Sequence, residues 1–517
     1  MSHALHFKLC IVRLYSQRIL KKVLIYAPVF AISILFAPVS AIAQDKTPQH
    51  GNRGDSLVII NAIIVDGNGT PAEGPVDIII KQNRIDRIAR ARENAKHREG
   101  ADAILDASGK YVLPGFINMH AHLQDERAGL PIPYDYQYKL WLGSGITAIR
   151  DVGSDPDKAV AERRKSAKGQ IAAPRMWLYM WVRGGNTEDE IRENVRMLKK
   201  KGADGLKCHQ MDRRTYMIVA DEAKKLDLKI AHHVGVEDAT AWDDAKAGTS
   251  SIEHWYGVPD AALDGVQNFP PDFNYSNELH RFRYAGRLWR EVNPKKLNDV
   301  LKALVKAGVA WVPTFSIYEA SRDLQWALTQ PWFKDFLHPA LEKFFTPNPE
   351  SHGSFFFGWT HTDEVFWKEN YRIWMEAVKK FADMGGVVTT GEDAGFIYKM
   401  YGFGYLRELE LHEEAGFHPL EVIQHATGHG AKVLGMDHDL GRIQAGYLAD
   451  LIVVNGNPIA NLRILYPKGI HPVMDLQNGD KGGIEWTIKD GITYHAPTLF
   501  AEVKELVRQA RMQQATN

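Results

Sequence analysis

The chain has 517 residues, 45% hydrophobic and 24% charged, with Lys plus Arg and Asp plus Glu balanced at 63 each. This is the composition of an ordinary soluble protein, long enough for one large domain or several smaller ones. The balance of charge argues against a nucleic-acid binder and against a partner steered by a strong field.

The N-terminus departs from that average. Lys21 and Lys22 precede the apolar run VLIYAPVFAISILFAPVSAIA, which ends small-x-small at Ala41-Ile42-Ala43. A positive flank, an apolar core and a small-residue end predict a signal peptide over 1–43, cleaved before Gln44. The expectation is an exported protein, periplasmic or secreted, free of the membrane after cleavage. The segment ahead of Lys21 is long, so a retained anchor is the alternative. Of the two cysteines, Cys10 precedes the apolar core and only Cys208 survives cleavage. The mature chain then has no intramolecular disulfide, which a core of this size can do without.

A polar linker (44–55) leads into short runs rich in Val and Ile: SLVIINAIIVDG, GPVDIIIKQNRIDRIA and AILDASGKYVLPG. Gly, Asn, Asp and Pro separate them, as in the hairpins of a small sheet. The same texture returns in LGRIQAGYLADLIVVNGNP and EWTIKDGITYHA, so both ends read as one sheet domain interrupted by the middle.

The middle alternates short apolar strands with helical stretches such as EDEIRENVRMLKKKG and RTYMIVADEAKKLD. Eight strand candidates follow in order: GFINMHAHL, GITAIRDVG, RMWLYMWVRGG, GADGLKCHQ, LKIAHHVG, SSIEHW, GVAWVPTFSIYE and GGVVTTGEDAG. Eight βα units predict a parallel barrel whose active site lies at the C-terminal ends of the strands. The first candidate carries His120 and His122, which share a strand face and could chelate a metal. The fourth ends in Lys207, the fifth in His232 and His233, the sixth in His254 and the eighth in Asp393. Each alone would be an ordinary polar strand end. A barrel brings all five ends to one rim, and together they predict a metal site.

These segments, with NAIIVDGNGTPAEGPVDIIIKQNRIDRI, VLPGFINMHAHL, SIEHW, TTGEDAG and GAKVLGMDHDLGRIQAGYLADLIVVNGNP, resemble the amidohydrolase superfamily of metal-dependent hydrolases. The chain is similar to the branch holding imidazolonepropionase-like proteins and Xaa-Pro dipeptidase-type enzymes. The resemblance implies an α/β fold: a (β/α)8 TIM-like barrel with a small β-sandwich domain built from both chain ends. The expected division is β-sandwich over 56–113 and 437–497, barrel over 114–436, and a C-terminal helix or tail over 498–517. The resemblance also implies the ligands. His120 and His122 match the histidine pair of the first strand. Lys207 matches the fourth-strand lysine, which in related enzymes is N-carboxylated and bridges two metals. An ammonium repels cations, whereas a carbamate is an anionic ligand. His232 and His233 are neighbours and only one can face the centre; alternation does not choose, and the resemblance favours His233. His254 matches the sixth-strand histidine, with Glu253 expected to face the other way in a structural role. Asp393 matches the eighth-strand aspartate, although the usual Gly-Thr-Asp reads Gly391-Glu392-Asp393 here.

The implied chemistry is hydrolysis of an amide or peptide-like C–N bond by metal-activated hydroxide, with Asp393 as both ligand and proton shuttle. Two zinc ions suit this donor set, and other divalent metals are compatible with it. The same centre could hydrolyse a lactone or phosphoester, and a non-catalytic binding protein on this fold is the reading from another class. Cys208 follows Lys207 and should face away from it as a packed thiol. The expected partner is a small-molecule substrate; a homo-oligomer is compatible with the sequence. Aromatic-rich connections between residues 255 and 380 are expected mainly to pack extra helices, with a substrate-pocket wall as the functional reading.

Overall fold

The computed structural model describes residues 46–516 apart from 93–94, 236–237, 275–276, 349–352, 355, 357, 472–474, 476 and 478. The predicted signal peptide and its cleavage site therefore lie outside the described residues. Among the described residues no helix is long and apolar enough to cross a membrane.

The chain enters through β1 (Ser56–Ile64), β2 (Glu73–Lys81), β3 (Arg84–Arg90), β4 (Ala103–Asp106) and β5 (Tyr111–Pro114). It continues through β6 (Phe116–Ala121), a small hairpin of β7 (Glu126–Arg127) and β8 (Leu130–Pro131), and β9 (Ile146–Val152). Then come β10 (Arg175–Trp181), β11 (Gly205–His209), β12 (Lys229–His233), β13 (Ser251–Glu253) and β14 (Ala310–Val312). The last strands are β15 (Leu451–Val454), β16 (Ile484–Lys489) and β17 (Ile492–His495).

The two chain ends form one eight-stranded sheet, ordered β17-β16-β15-β5-β1-β2-β3 with β4 on β1. β15 joins the two halves by pairing antiparallel with both β5 and β16. Alternation sorts its fully buried residues onto two faces. Leu451 and Val453 pack with Ile59, Ile78 and Ile488 of the terminal sheet, while Ile452 and Val454 join the large core shared with the barrel. A strand buried on both faces reads as a continuous apolar run, and LIVV is one.

The barrel sheet runs β6-β9-β10-β11-β12-β13-β14, every pair parallel. Helices between the strands carry their own start and stop signals. Glu188–Lys201 opens on a capping box between Thr187 and Glu190 and ends at Gly202, where φ is 98°. Its buried residues Ile191, Val195 and Leu198 form one stripe at helical spacing.

The eighth candidate closes the ring by single contacts instead of a full strand. Val388 bridges Trp311 in parallel, and the Met119 amide donates to the Thr390 carbonyl at 2.9 Å. This segment runs very close to β6, and Gly391 permits it: a Cβ there would lie 2.7 Å from the Cβ of His120. The seventh strand is also shorter than its sequence suggests. Only Ala310–Val312 is extended, and FSIYE belongs to the helix Phe315–Arg322. The reason is distant in sequence, because Glu408 accepts the Phe315 and Ser316 amides at 2.9 and 2.7 Å and fixes the helix start.

Candidate metal centre

β6 carries a one-residue irregularity against β9 between Asn118 and Ala121. Ile117 ahead of it and Met119 within it pack with Ala148 and Val312 inside the barrel. A bulge shifts side-chain parity, and from His120 onward the parity is reversed, so that His120 and His122 line the rim cavity. Asp393 stands among the histidines. Its Oδ1 lies 3.1 Å from His122 Nε2 and 3.7 Å from His120 Nε2, and its Oδ2 lies 3.8 Å from His254 Nε2. Lys207 Nζ is buried 3.4 Å from His120 Nε2. The His233 ring lies 4.6 Å from that of His254. All six predicted ligands thus line one cavity of about 470 Å³.

The far side of each ring decides which nitrogen faces the centre. His120 Nδ1 lies 2.6 Å from Glu253 Oε2, and His254 Nδ1 lies 2.6 Å from Thr314 Oγ1, whose hydroxyl donates to the Pro313 carbonyl. Both rings therefore donate through Nδ1, leaving the Nε2 lone pairs turned toward Asp393. Burial keeps both rings neutral, pulling His120 down to about 4 and His254 well below its ordinary value. His233 Nε2 is buried without a hydrogen-bond partner. Burial would raise the Asp393 carboxyl, but the histidines around it, His122 through a direct hydrogen bond, hold it well below its usual range. Neutral imidazole lone pairs, an orphaned buried nitrogen and an ionised carboxylate fit a divalent cation. His120, His122 and Asp393 offer donor atoms all within 4.8 Å of one another.

Beneath the rim, Arg150 braces the site. Its Nη2 donates to Glu253 Oε1 at 2.6 Å, its Nη1 to Ser251 Oγ at 2.8 Å and its Nε to the Met119 carbonyl at 2.6 Å. Burial would raise the Glu253 carboxyl, but Arg150 and His120 hold it well below its ordinary range. Here one expectation is corrected: Glu253 does not face away from the site. Glu253 pairs with Val312, an interior position, and alternation would send His254 outward. His254 instead has φ of +63°, which turns it back inward, so both side chains reach the interior. The same device recurs at Thr314 (φ +52°) and Asp393 (φ +48°). For non-glycine residues these conformations are costly and mark places where the surroundings impose geometry.

Glu392 lies on the outer face of the barrel. It accepts from the Trp141 indole, from Asn118 Nδ2 at 3.1 Å and from the Gly402 and Tyr405 amides at 2.8 and 3.0 Å. Burial pushes its carboxyl up to about 8. His232 also faces outward, 2.7 Å from Asp244 and stacked on Tyr216. Cys208 is a buried outward thiol whose pKa burial pushes up.

Two basic cavity residues escaped the sequence reading. His209 is in register with His233, their rings 4.4 Å apart, and the pattern Lys207-Cys208-His209 would have revealed it by alternation. Arg127 projects from the β7–β8 hairpin and carried no sequence signal. The aromatic connections serve both purposes expected of them. Phe282 and Tyr318 line the cavity, and Trp367 stacks behind both at 5.4 and 5.9 Å.

The sequence profile of the Amidohydrolase family matches residues 111–324 and 366–491, more than half of the chain. The chain belongs to that family. Dihydroorotases are among the relatives of this amidohydrolase. One from Clostridioides difficile is 33% identical over 190 residues, 34% of this chain and 42% of that enzyme. One from Caldanaerobacter subterraneus subsp. tengcongensis is 45% identical over 69 residues, 13% of this chain and 14% of its own length. The match therefore spans less than half of either curated enzyme. Among solved structures, a Xaa-Pro dipeptidase with methionine bound in its active site aligns with a TM-score of 0.58 at 21% identity, covering 85% of this chain and all of that one. A putative prolidase from Bifidobacterium longum aligns at 0.60 and 20%, covering 87% and 100%. The ochratoxinase of A. niger aligns at 0.58 and 16%, covering 86% and 97%. At these identities the likeness establishes the fold, an amidohydrolase barrel with a second sheet from the chain ends.

Proposed function

We propose that this amidohydrolase cleaves an amide or peptide-like C–N bond of a small molecule, with His120, His122, Lys207, His233, His254 and Asp393 holding two divalent cations, zinc first among them. The observation that carries the reading is the Asp393 carboxylate set between three histidines whose Nε2 atoms turn toward it. Bound there, such ions polarise a carbonyl and lower the pKa of water. Asp393 accepts the proton of the attacking water and returns it to the leaving nitrogen. Its charge suits it to the first step, because against the push of burial the hydrogen bond with His122 favours its ionised form. Burial pulls Lys207 down to about 8, leaving a share of free amine near neutral pH; this supports its conversion to a carbamate ligand. The dipeptidase and prolidase likeness supports peptide-like substrates.

Metal analysis of the purified protein, run beside a hydrolysis screen of dipeptides, N-acyl amino acids, lactones and phosphotriesters, tests this reading. Bound divalent metal and turnover of an amide are expected; turnover of phosphotriesters or lactones alone would overturn it. We also propose export, on the Lys-flanked apolar run ending at Ala43. N-terminal sequencing of the exported protein should begin near Gln44.

A further inference from the structure

The reaction proposed above leaves one charged group of the cavity without a task. Apart from the histidines and tyrosines, the ionisable side chains lining the cavity are Asp393, Lys207 and Arg127. The first two are engaged at the strand ends. Arg127 sits on the hairpin that follows His122, on the wall of the same cavity.

Its surroundings hold the guanidinium in place, with the charges of Asp393 and Glu126 acting on it from beyond ion-pair distance. The Cζ atom lies 4.9 Å from the centre of the Phe344 ring and 4.6 Å from that of Phe396. Nε donates to the Gly395 carbonyl at 3.2 Å, and Nη1 makes a longer bond of 3.4 Å to the Glu126 carbonyl. Among the described residues no carboxylate lies within the 4.0 Å of an ion pair. Carbonyl oxygens offset only part of the loss of water around a half-buried cation, and the planar fork has further N–H groups to give. Phe396 also sets the distance to the chemistry, because the same ring lies 5.5 Å from the His122 ring. The cation is therefore within a few bonds' reach of a carbonyl seated at the histidines. Most of the remaining wall is apolar, with Tyr256, Phe282, Ile317 and Tyr318 facing the same space.

We infer that Arg127 receives the carboxylate of the substrate, so that the amides cleaved here are acidic ones: N-acyl amino acids or short peptides with a free C-terminal carboxylate. A two-oxygen anion fits a guanidinium fork, and the aromatic wall receives the apolar part of the molecule. The inference rests on the amide-hydrolysis reading, and it competes with a purely structural role in which Arg127 braces Phe396 and Gly395.

The test uses the metal-loaded enzyme and N-acetyl derivatives of L-phenylalanine, L-leucine and L-proline, each beside the same compound capped as its C-terminal amide. The wild type should prefer the free acid by roughly 10- to 100-fold in kcat/KM, the range of a charge-assisted hydrogen bond. In Arg127→Gln that ratio should fall to about threefold or less, mainly through KM, while Arg127→Lys keeps part of it because the charge remains. A bracing role would lower both members of each pair together and leave the ratio intact, which would overturn the inference. So would a wild type that treats acid and amide alike. Calorimetry with N-ethyl-L-phenylalanine and its amide, neither of which has a bond for the N-acyl chemistry, separates the two proposals. Tighter binding of the acid, lost in Arg127→Gln, supports the carboxylate site even if no amide is hydrolysed. Hydrolysis without any such difference retains the reaction and rejects the site.

Discussion

Two groups of buried histidines make an instructive pair. At the rim, His120, His122, His233 and His254 surround the Asp393 carboxylate and open onto a cavity. In the helices after the barrel, His412, His425 and His429 cluster almost as tightly: the first two rings are 5.3 Å apart and so are the last two. The second group is spent on internal bonding. His412 Nδ1 meets His425 Nδ1 at 3.1 Å, His412 Nε2 meets Glu408 at 3.2 Å, and His429 Nδ1 donates to the Val388 carbonyl at 2.9 Å. Phe417 and Phe315 pack against these rings at 4.6 and 5.3 Å. Histidine density is thus a poor guide to chemistry. What distinguishes the rim is that its lone pairs converge on shared space, held there by partners behind each ring.

The contrast can be broken most severely at the rim. His120→Ala or His122→Ala should remove about half of the bound metal or more and nearly all activity, since a lost ligand dismantles the site that activates water. Metal content and turnover measured together check this; wild-type values in His122→Ala would refute the assignment. Asp393→Asn should lower kcat by about a hundredfold to ten-thousandfold while disturbing KM less. Its neighbour sharpens the point. Glu392→Gln should leave kcat within a few fold of wild type, roughly as expected of a group outside the cavity, but lower the melting temperature, because an amide NH2 would face donors that now meet carboxyl oxygens. A reversed order of the two variants would overturn the named proton carrier.

A smaller effect is expected one layer down. Glu253→Gln weakens the bond that orients His120, and metal affinity should fall by about 10- to 100-fold. Competition with a chelator measures it directly. The smallest effect on metal belongs to the second group: His425→Phe should leave metal content unchanged while costing about 1–3 kcal/mol of stability, the penalty for stranding His412. Loss of metal in that variant would erase the distinction between the two groups.

These pairs also explain what could be read from the sequence. His120-Ala-His122 is legible because alternation puts both on one face, although the bulge that turns that face inward is invisible in one dimension. His232 and His233 could not be separated by alternation, because nothing local says that Asp244 and Tyr216 await His232 outside the barrel. The direction of Glu253 is not legible by alternation, because strand parity fails where φ turns positive at His254. The helical FSIYE segment looks like a strand by composition, and Glu408 overrules it from 93 residues away. Arg127 gave no signal at all, since Phe344 and Phe396, which position it, lie more than 200 residues downstream. Local pattern identified the ligand-bearing strand ends; side-chain direction at strand ends depended on tertiary contacts.

β15 has a consequence for how the molecule can be divided. Its four residues lie between two apolar clusters, Leu451 and Val453 in one and Ile452 and Val454 in the other, and its edges join strands from both ends of the chain. A fragment ending before Leu451 would lose the strand that supplies Ile452 and Val454 to one core and Leu451 and Val453 to the other, and would expose apolar surface on both at once. The barrel is consequently no separable cassette. Although the rim chemistry lies entirely within residues 120–393, a protein trimmed to that interval should aggregate when expressed, and the last strands act as a checkpoint for assembly, because neither core closes until the end of the chain has been made.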